Sequence, residues 1–165
     1  VVSDYDYLSD FDWTSVETQW GTPRKNSNIQ GMVHNNVKRF KKGVGIHANG
    51  KITYDLSDKD YDKFEALIGV DTAVGENNNS SVTFKIVGDG KTLATTKVMN
   101  YYDNLAYINV PVKGIKELVI EVHDGYWIPD ARIPLQKIKI LIHYLNQNHQ
   151  SSNPHQKNDK PNIYK

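Results

Sequence analysis

The 165-residue sequence contains no cysteine. That excludes a disulfide framework, a thiolate metal site and a thiol nucleophile. Long apolar runs are missing too: Leu118-Val-Ile120 is representative, far short of the ~20 residues a membrane-spanning helix needs, so no membrane insertion is expected. Charge of one sign is also scarce. Twenty Lys plus Arg stand against 19 Asp plus Glu, a net +1, which gives no global field to draw nucleic acid or anionic lipid. The chain opens Val1-Val2-Ser3, with neither an initiator Met nor a signal peptide, and reads as a piece of a longer polypeptide. Its length is that of one domain able to bury a sizeable core.

Catalytic signatures are equally sparse. No G-x-S-x-G elbow is present for a serine nucleophile. The six histidines, at 34, 47, 123, 143, 149 and 155, show no H-E-x-x-H or comparable zinc spacing. A glycosidase would place two carboxylates across a scissile bond. Asp10, Asp12, Glu17, Asp71, Asp103, Asp124 and Asp130 supply the residue type, but no spacing among them demands an acid/base pair. The reading is of a chain that is not itself an enzyme.

What the sequence does contain is strand pattern. Residues 51–56, 63–68, 81–87, 106–110, 117–122 and 137–142 alternate apolar with polar side chains over short spans. Val82, Phe84 and Ile86 share one face while Thr83 and Lys85 take the other, the mark of a half-buried antiparallel strand. Asp89-Gly90, Lys113-Gly114, Asp124-Gly125 and the polar run 76–80 separate these segments as turns. Helical periodicity is confined to at most one turn at 58–63. The fold class predicted is all-β, an antiparallel β-sandwich of jelly-roll type. From Asn146 to Lys165 the composition shifts to Asn, Gln, Ser, His, Lys and Pro. The folded domain is therefore set at 1–145, with 146–165 as a polar linker or tail.

Two phrases hold the residues suited to ligand binding. In S-D-F-D-W-T-S-V-E-T-Q-W-G, residues 9–21, two indoles sit among carboxylates and an amide. An aromatic ring stacks on the apolar face of a pyranose while carboxylates, amides or a histidine bond its hydroxyls. Trp13 is assigned to the core and Trp20, beside a bend at Gly21-Thr-Pro23, to a loop. In G-V-G-I-H-A, residues 43–48, His47 reads either as a structural side chain or as a ligand contact, with Gly43 and Gly45 permitting close approach or unusual φ. Asp71 reads as a turn-capping residue, or as a ligand for a hard cation together with backbone carbonyls and Glu76 or Asn77.

Read together, Leu8-Ser-Asp-Phe-Asp-Trp13, Gln19-Trp-Gly21, Lys42-Gly-Val-Gly-Ile-His-Ala48, Ile52-Thr-Tyr-Asp-Leu56, Phe64-Glu-Ala-Leu-Ile-Gly-Val-Asp71 and Val74-Gly75 closely resemble the NPCBM group, the family 51 carbohydrate-binding modules. The resemblance runs in order from about residue 7 to 122 and continues weakly to about 133. It implies a jelly-roll sandwich appended to secreted bacterial glycoside hydrolases and other surface proteins, binding terminal galactose or related glycans, often with a structural calcium. Two departures stand out. The family's Val-Asp-Asp-Glu-Val-Gly is Val70-Asp-Thr-Ala-Val-Gly75 here, with two acidic positions lost, which should weaken any cation bound there. The family's closing Asp-His-Ala-Asp-Trp-Ala-Asp-Ala is replaced by Asp124-Gly-Tyr-Trp-Ile-Pro-Asp-Ala-Arg-Ile133.

The expectation is a non-catalytic galactose-type glycan-binding module, secreted or on a bacterial cell surface, tethering covalently linked neighbouring domains. Trp20 or Trp127 would supply the stacking surface, Glu17, His47 and Asp124 the hydroxyl acceptors, and Asp71 the calcium ligand. The alternative is a structural or protein-interaction sandwich of a bacterial surface protein that has lost its sugar site.

Overall fold

A computed structural model describes residues 5–19, 21–27, 29–74, 81–125 and 144–147. Among these residues fourteen strands follow in chain order: β1 Tyr5–Asp6, β2 Ser15–Thr18, β3 Arg24–Lys25, β4 Ile29–Val33, β5 Asn36–Phe40, β6 Val44–Gly45, β7 Gly50–Asp55, β8 Tyr61–Ile68, β9 Ser81–Gly88, β10 Lys91–Thr95, β11 Met99–Asn100, β12 Ala106–Pro111, β13 Glu117–Asp124 and β14 Tyr144–Gln147. Single 3-10 turns occur at Leu8–Asp10 and Thr72–Val74.

The strands form two main antiparallel sheets. One runs β1-β14-β8-β12; the other runs β10-β9-β13-β7-β2, with β11 added to β9. Their inner faces meet in one core, where Phe64, Ala66, Ile68, Ile108 and Val110 pack with Ile52, Tyr54, Phe84, Ile86, Leu118 and Ile120. Period-two alternation places them there: in β9, Val82, Phe84 and Ile86 are buried while Thr83 and Lys85 are half-exposed. Across strands, Ile120 stands between Ile52 and Ile86, so apolar side chains stack along one face. The all-β sandwich expected from the alternation is the fold observed.

The turns follow their residues. Asp89 and Gly90, at φ 47° and 77°, join β9 to β10, and the Asp89 carboxylate accepts from Lys116 N and Glu117 N at 3.1 and 2.9 Å. Gly114 is left-handed as well. No helical turn forms over 58–63: a turn closes with Lys59 N donating to Leu56 O, and β8 begins at Tyr61. The alternation of Phe64, Ala66 and Ile68 on the core face, with Tyr61 buried at the strand's start, outweighs any local helical preference there. The strand expected over 137–142 lies outside the described residues.

A smaller layer covers the outside. The β4–β5 hairpin lays Ile29 and Val33 over Leu67, whose side chain leaves β8 on the face away from the main core, with Phe40 and Leu105 alongside. That second layer explains why β8 is apolar on both faces. Glu65, also on this outer face and buried, accepts a hydrogen bond from the Tyr107 hydroxyl. Trp13 is half-buried against the main core, and its outer face carries Lys25, whose Nζ lies 4.3 Å from the ring centroid. The packing role expected for Trp13 is the one seen.

Candidate functional site

Three neighbouring strand ends build one polar cluster. Strands β13, β7 and β2 are adjacent, and the register pairs Thr18 with Gly50 and Gly50 with Val122. The residues just past those pairs, Gln19, Asn49 and Asp124, therefore meet at one end of the sheet. Asn49 Nδ2 donates to Gln19 Oε1 at 3.0 Å and to Asp124 Oδ2 at 3.1 Å, while Asn49 Oδ1 accepts from Asp124 N at 3.0 Å. Gln19 N donates to Asn49 O at 3.0 Å. One side-chain amide thus binds a second amide and a carboxylate, with its N–H donors and its carbonyl occupied.

The chain reaches Asn49 through a tight path. The Ala48–Asn49 peptide is cis, and a Cβ on Gly50 would stand 2.4 Å from His47 O, so only glycine fits where the backbone doubles back into β7. His47, 8% exposed, lies beneath this turn. Its ring faces Gly21: a Cβ there would fall 2.4 Å from His47 Nε2, and Gly21 itself has φ 74°. Of the two options offered for Gly43 and Gly45, close approach or unusual φ, the second is not taken: neither is left-handed, whereas Gly21 is.

Of the residues singled out from sequence, His47 and Asp124 come to this cluster. Glu17 does not join it. It projects from the exposed face of β2, opposite Lys51, because alternation turns Val16 and Thr18 inward, and no hydrogen bond among the described residues joins its carboxylate to Asn49 or Asp124. Trp20 and Trp127 lie outside the described residues, although Trp20 falls in sequence between Gln19 and Gly21 of the cluster. Gln19 and Asn49 were missed as site residues. The signal for Asn49 was its Asn-Gly dipeptide, a turn former that follows His47 by two residues.

Asp71 takes the turn-capping option. It is fully buried, and its Oδ1 accepts from Ala73 N at 2.7 Å at the start of the 72–74 turn. A hard cation needs six or more oxygens, usually from several carboxylates. Among the described residues no group of three or more His, Asp or Glu gathers to hold one, and Glu76 and Asn77 lie outside them. This donor set fits an Asx-turn; a cation would have to draw its remaining ligands from beyond Val74.

In chemical terms the cluster is a rim of exposed amide and carboxylate groups near a buried imidazole. Gln19 retains its amide N–H bonds, and the Asp124 carboxylate has acceptor capacity beyond its bond to Asn49. Such a rim exchanges hydrogen bonds with neighbouring hydroxyls. It presents no activated nucleophile.

Comparison with known proteins agrees. Residues 4–127 match the family described as NPCBM/NEW2 domain. The chain belongs to this family. Its fold matches the CBM51 from Clostridium perfringens GH95, solved in complex with methyl-galactose, with a TM-score of 0.77 and 26% identity, over 86% of this chain and 99% of that one. It also matches the CBM51-2 and INT domains of Clostridium perfringens ZmpB, solved with GlcNAc, at TM-score 0.76 and 28% identity, covering 87% of this chain and 31% of that one. A Renibacterium salmoninarum protein named "Putative endo-alpha-N-acetylgalactosaminidase" is 27% identical over 124 residues, 70% of this chain. The chain spans 8% of that relative's length. This NPCBM/NEW2 domain is thus a CBM51-like carbohydrate-binding module of the kind found in glycoside hydrolases.

Proposed function

We propose that this NPCBM/NEW2 domain is a non-catalytic module that binds terminal galactose or a related sugar and tethers a larger secreted glycoside hydrolase or surface protein to its glycan. The observation that carries the reading is the Asn49-centred cluster: Gln19 and Asp124 are both hydrogen-bonded to Asn49, and Trp20 follows Gln19 in the sequence. An indole at that rim would stack on a pyranose while Gln19 and Asp124 bond its hydroxyls. Support for galactose comes from the methyl-galactose complex of the Clostridium perfringens GH95 module. Trp127 is the second stacking candidate. His47 acts from below, as a support for Gly21 and the rim.

A shallow site of this type binds weakly alone, and covalent linkage to neighbouring domains raises its effective concentration at a glycan surface. In this reading the folded module is 1–145 and 146–165 the linker or tail, a boundary that falls inside β14, Tyr144–Gln147. A structural calcium at the Asp71 loop belongs to the same proposal. If it is bound, a chelator lowers the Tm.

The GlcNAc complex of the ZmpB module favours a second reading, in which the rim accepts an N-acetylhexosamine. Calorimetry with methyl-galactose and GlcNAc, on the wild type and on Trp20→Ala and Trp127→Ala, decides between them. Binding of methyl-galactose lost on Trp20→Ala supports the first reading; a preference for GlcNAc supports the second. No binding of either, with a glycan array without hits, rejects both and leaves a structural or protein-interaction domain.

A further inference from the structure

From Thr18 to Tyr54 the chain has seven Lys or Arg and no Asp or Glu, so 13 of its 20 cations share the remainder with all 19 acids. A nearly neutral protein therefore carries one acid-free segment. Within it, Lys25 lies 3.6 Å from Asp12 and Lys42 is paired with Asp10. Lys38, Arg39 and Lys41 have no carboxylate within ion-pair distance among the described residues.

Two of these cations, Arg39 and Lys41, line a groove. An open cavity of about 370 Å³ is lined by Ile29, Gln30, Arg39, Phe40 and Lys41. The β4–β5 register sets Gln30 opposite Arg39 and Ile29 opposite Phe40. Ile29 is buried on Leu67 while Gln30 and Arg39 alternate to the outer face. Phe40, half-buried against the same cluster, supplies an apolar wall. The groove therefore combines a planar guanidinium fork, an ammonium, an amide and a ring edge.

This chemistry selects an anion carried on a polar, partly apolar body. Arginine matches a carboxylate or sulfate bidentately and lysine adds a point charge. The volume is at the small end of ligand sites, enough for one or two sugar rings. It is too short for a nucleic-acid track, where roughly 6–10 phosphates are neutralised. We propose that the groove is a second saccharide site, for a glycan bearing a carboxylate or sulfate group. Arg39 and Lys41 hold the anion, Gln30 bonds an adjacent hydroxyl, and Phe40 lies against the ring. It is built on different strands from the Asn49 cluster and does not depend on neutral-sugar binding there.

The test is calorimetry of the whole 165-residue chain with a dextran sulfate oligosaccharide, the sulfate arm, and an oligogalacturonate, the carboxylate arm, over a salt series. Arg39→Gln with Lys41→Gln removes two exposed charges; Lys91→Gln with Lys113→Gln is the charge-matched control elsewhere on the surface. Binding on at least one arm is expected, weakening with salt, with a loss of about tenfold or more in the groove variant, the scale of charged hydrogen bonds, and little change in the control. Absence of binding on both arms overturns the proposal, as does an equal loss in the control. It is likewise overturned if a single-stranded oligonucleotide or phosphatidylserine vesicles bind as tightly as the acidic glycans through the same two residues. Wild-type protein that binds an acidic glycan but not methyl-galactose would retain the groove while removing the neutral-sugar reading.

Discussion

Gly21 rests against the imidazole of His47, so closely that a Cβ at Gly21 would lie 2.4 Å from Nε2. The glycine is also left-handed, at φ 74°, so two constraints select it. Gly21→Ala should cost about 1–2 kcal/mol from the left-handed backbone alone, with a further cost for moving a buried ring. A lowered Tm with methyl-galactose binding lost even at temperatures where the protein is folded is the expected result. Wild-type stability in the variant would show that the ring yields freely and that the contact positions nothing.

Asn49 is the bracket between Gln19 and Asp124. Asn49→Ala removes two donors and one acceptor at once and frees Asp124 from its donor. Hydrogen bonds to a charged group contribute about 1.5–3 kcal/mol, and less where water can replace them. Because all three side chains are exposed, the stability loss should stay near the lower end, while sugar affinity falls about tenfold or more through loss of preorganisation. A double-mutant cycle with Asp124→Ala should show strong non-additivity. Simple additivity would mean that Asn49 does not hold Asp124 for the sugar.

The sandwich was readable because its signal is repetitive. Alternation in β9, β12 and β13 is decided by the two faces of each strand, and Asp89-Gly90 and Lys113-Gly114 carry their turn preference in the residues themselves. Strands β4 and β5 escaped notice because they cover the outer face of β8 rather than the main core; Gly31 and Lys38 dilute their pattern. The site was only half legible. His47 stands out as a lone histidine after glycines and Asp124 through the family resemblance of the 124–133 segment, but Gln19 and Asn49 gain their meaning from the β2–β7–β13 register, which pairs residues far apart in the chain. Glu17 stands apart from this cluster for a local reason: a strand sends alternate side chains to opposite faces, and its neighbour Val16 claims the inner one.

Tyr54 is fully buried in the core, and among the described residues its hydroxyl has no hydrogen-bond partner. Burial pushes its ionisation well above the ordinary tyrosine range, so it stays neutral throughout the working pH range. An unsatisfied buried hydroxyl costs about 1–3 kcal/mol. Tyr54→Phe removes that cost and keeps the ring, so urea unfolding should show unchanged or higher stability. A loss exceeding ~1 kcal/mol would reveal a partner for the hydroxyl.

Asp55 closes β7, and its Oδ1 accepts from Ser57 N at 2.8 Å. The Ser57 side-chain hydrogen bond, followed by the backbone one, holds its carboxyl below the usual aspartate value of 3.8. A depressed folded pKa means that the associated stability is present above the unfolded value and is lost as pH falls through the folded one. Carboxyl NMR should find Asp55 titrating below 3.8, and Ser57→Ala should raise its midpoint part-way, since the backbone N–H remains. An unaltered midpoint in Ser57→Ala would assign the shift to the backbone alone.

Leu105 joins the outer hairpin to the main body. Its N–H donates to Met32 O at 2.8 Å, and its side chain fills the space that a Cβ on Gly31 or Gly69 would need. Leu105→Ala removes that wedge from a half-buried position, so it should cost less than the ~2–5 kcal/mol of a fully buried leucine. The loss should also be local. The β4–β5 pair is held to β8 chiefly by Ile29, Val33, Leu67 and this residue, whereas β9, β13 and β7 are locked by the separate main core. Hydrogen exchange should therefore accelerate at the Ile29–Val33 and Asn36–Phe40 amides and stay near wild type in β13. If the groove on this hairpin holds an acidic glycan, a saturating dextran sulfate oligosaccharide or oligogalacturonate, whichever binds, should restore part of that protection, because a ligand that binds only the closed hairpin stabilises it. Uniform acceleration across both layers would instead make hairpin and sandwich one cooperative unit.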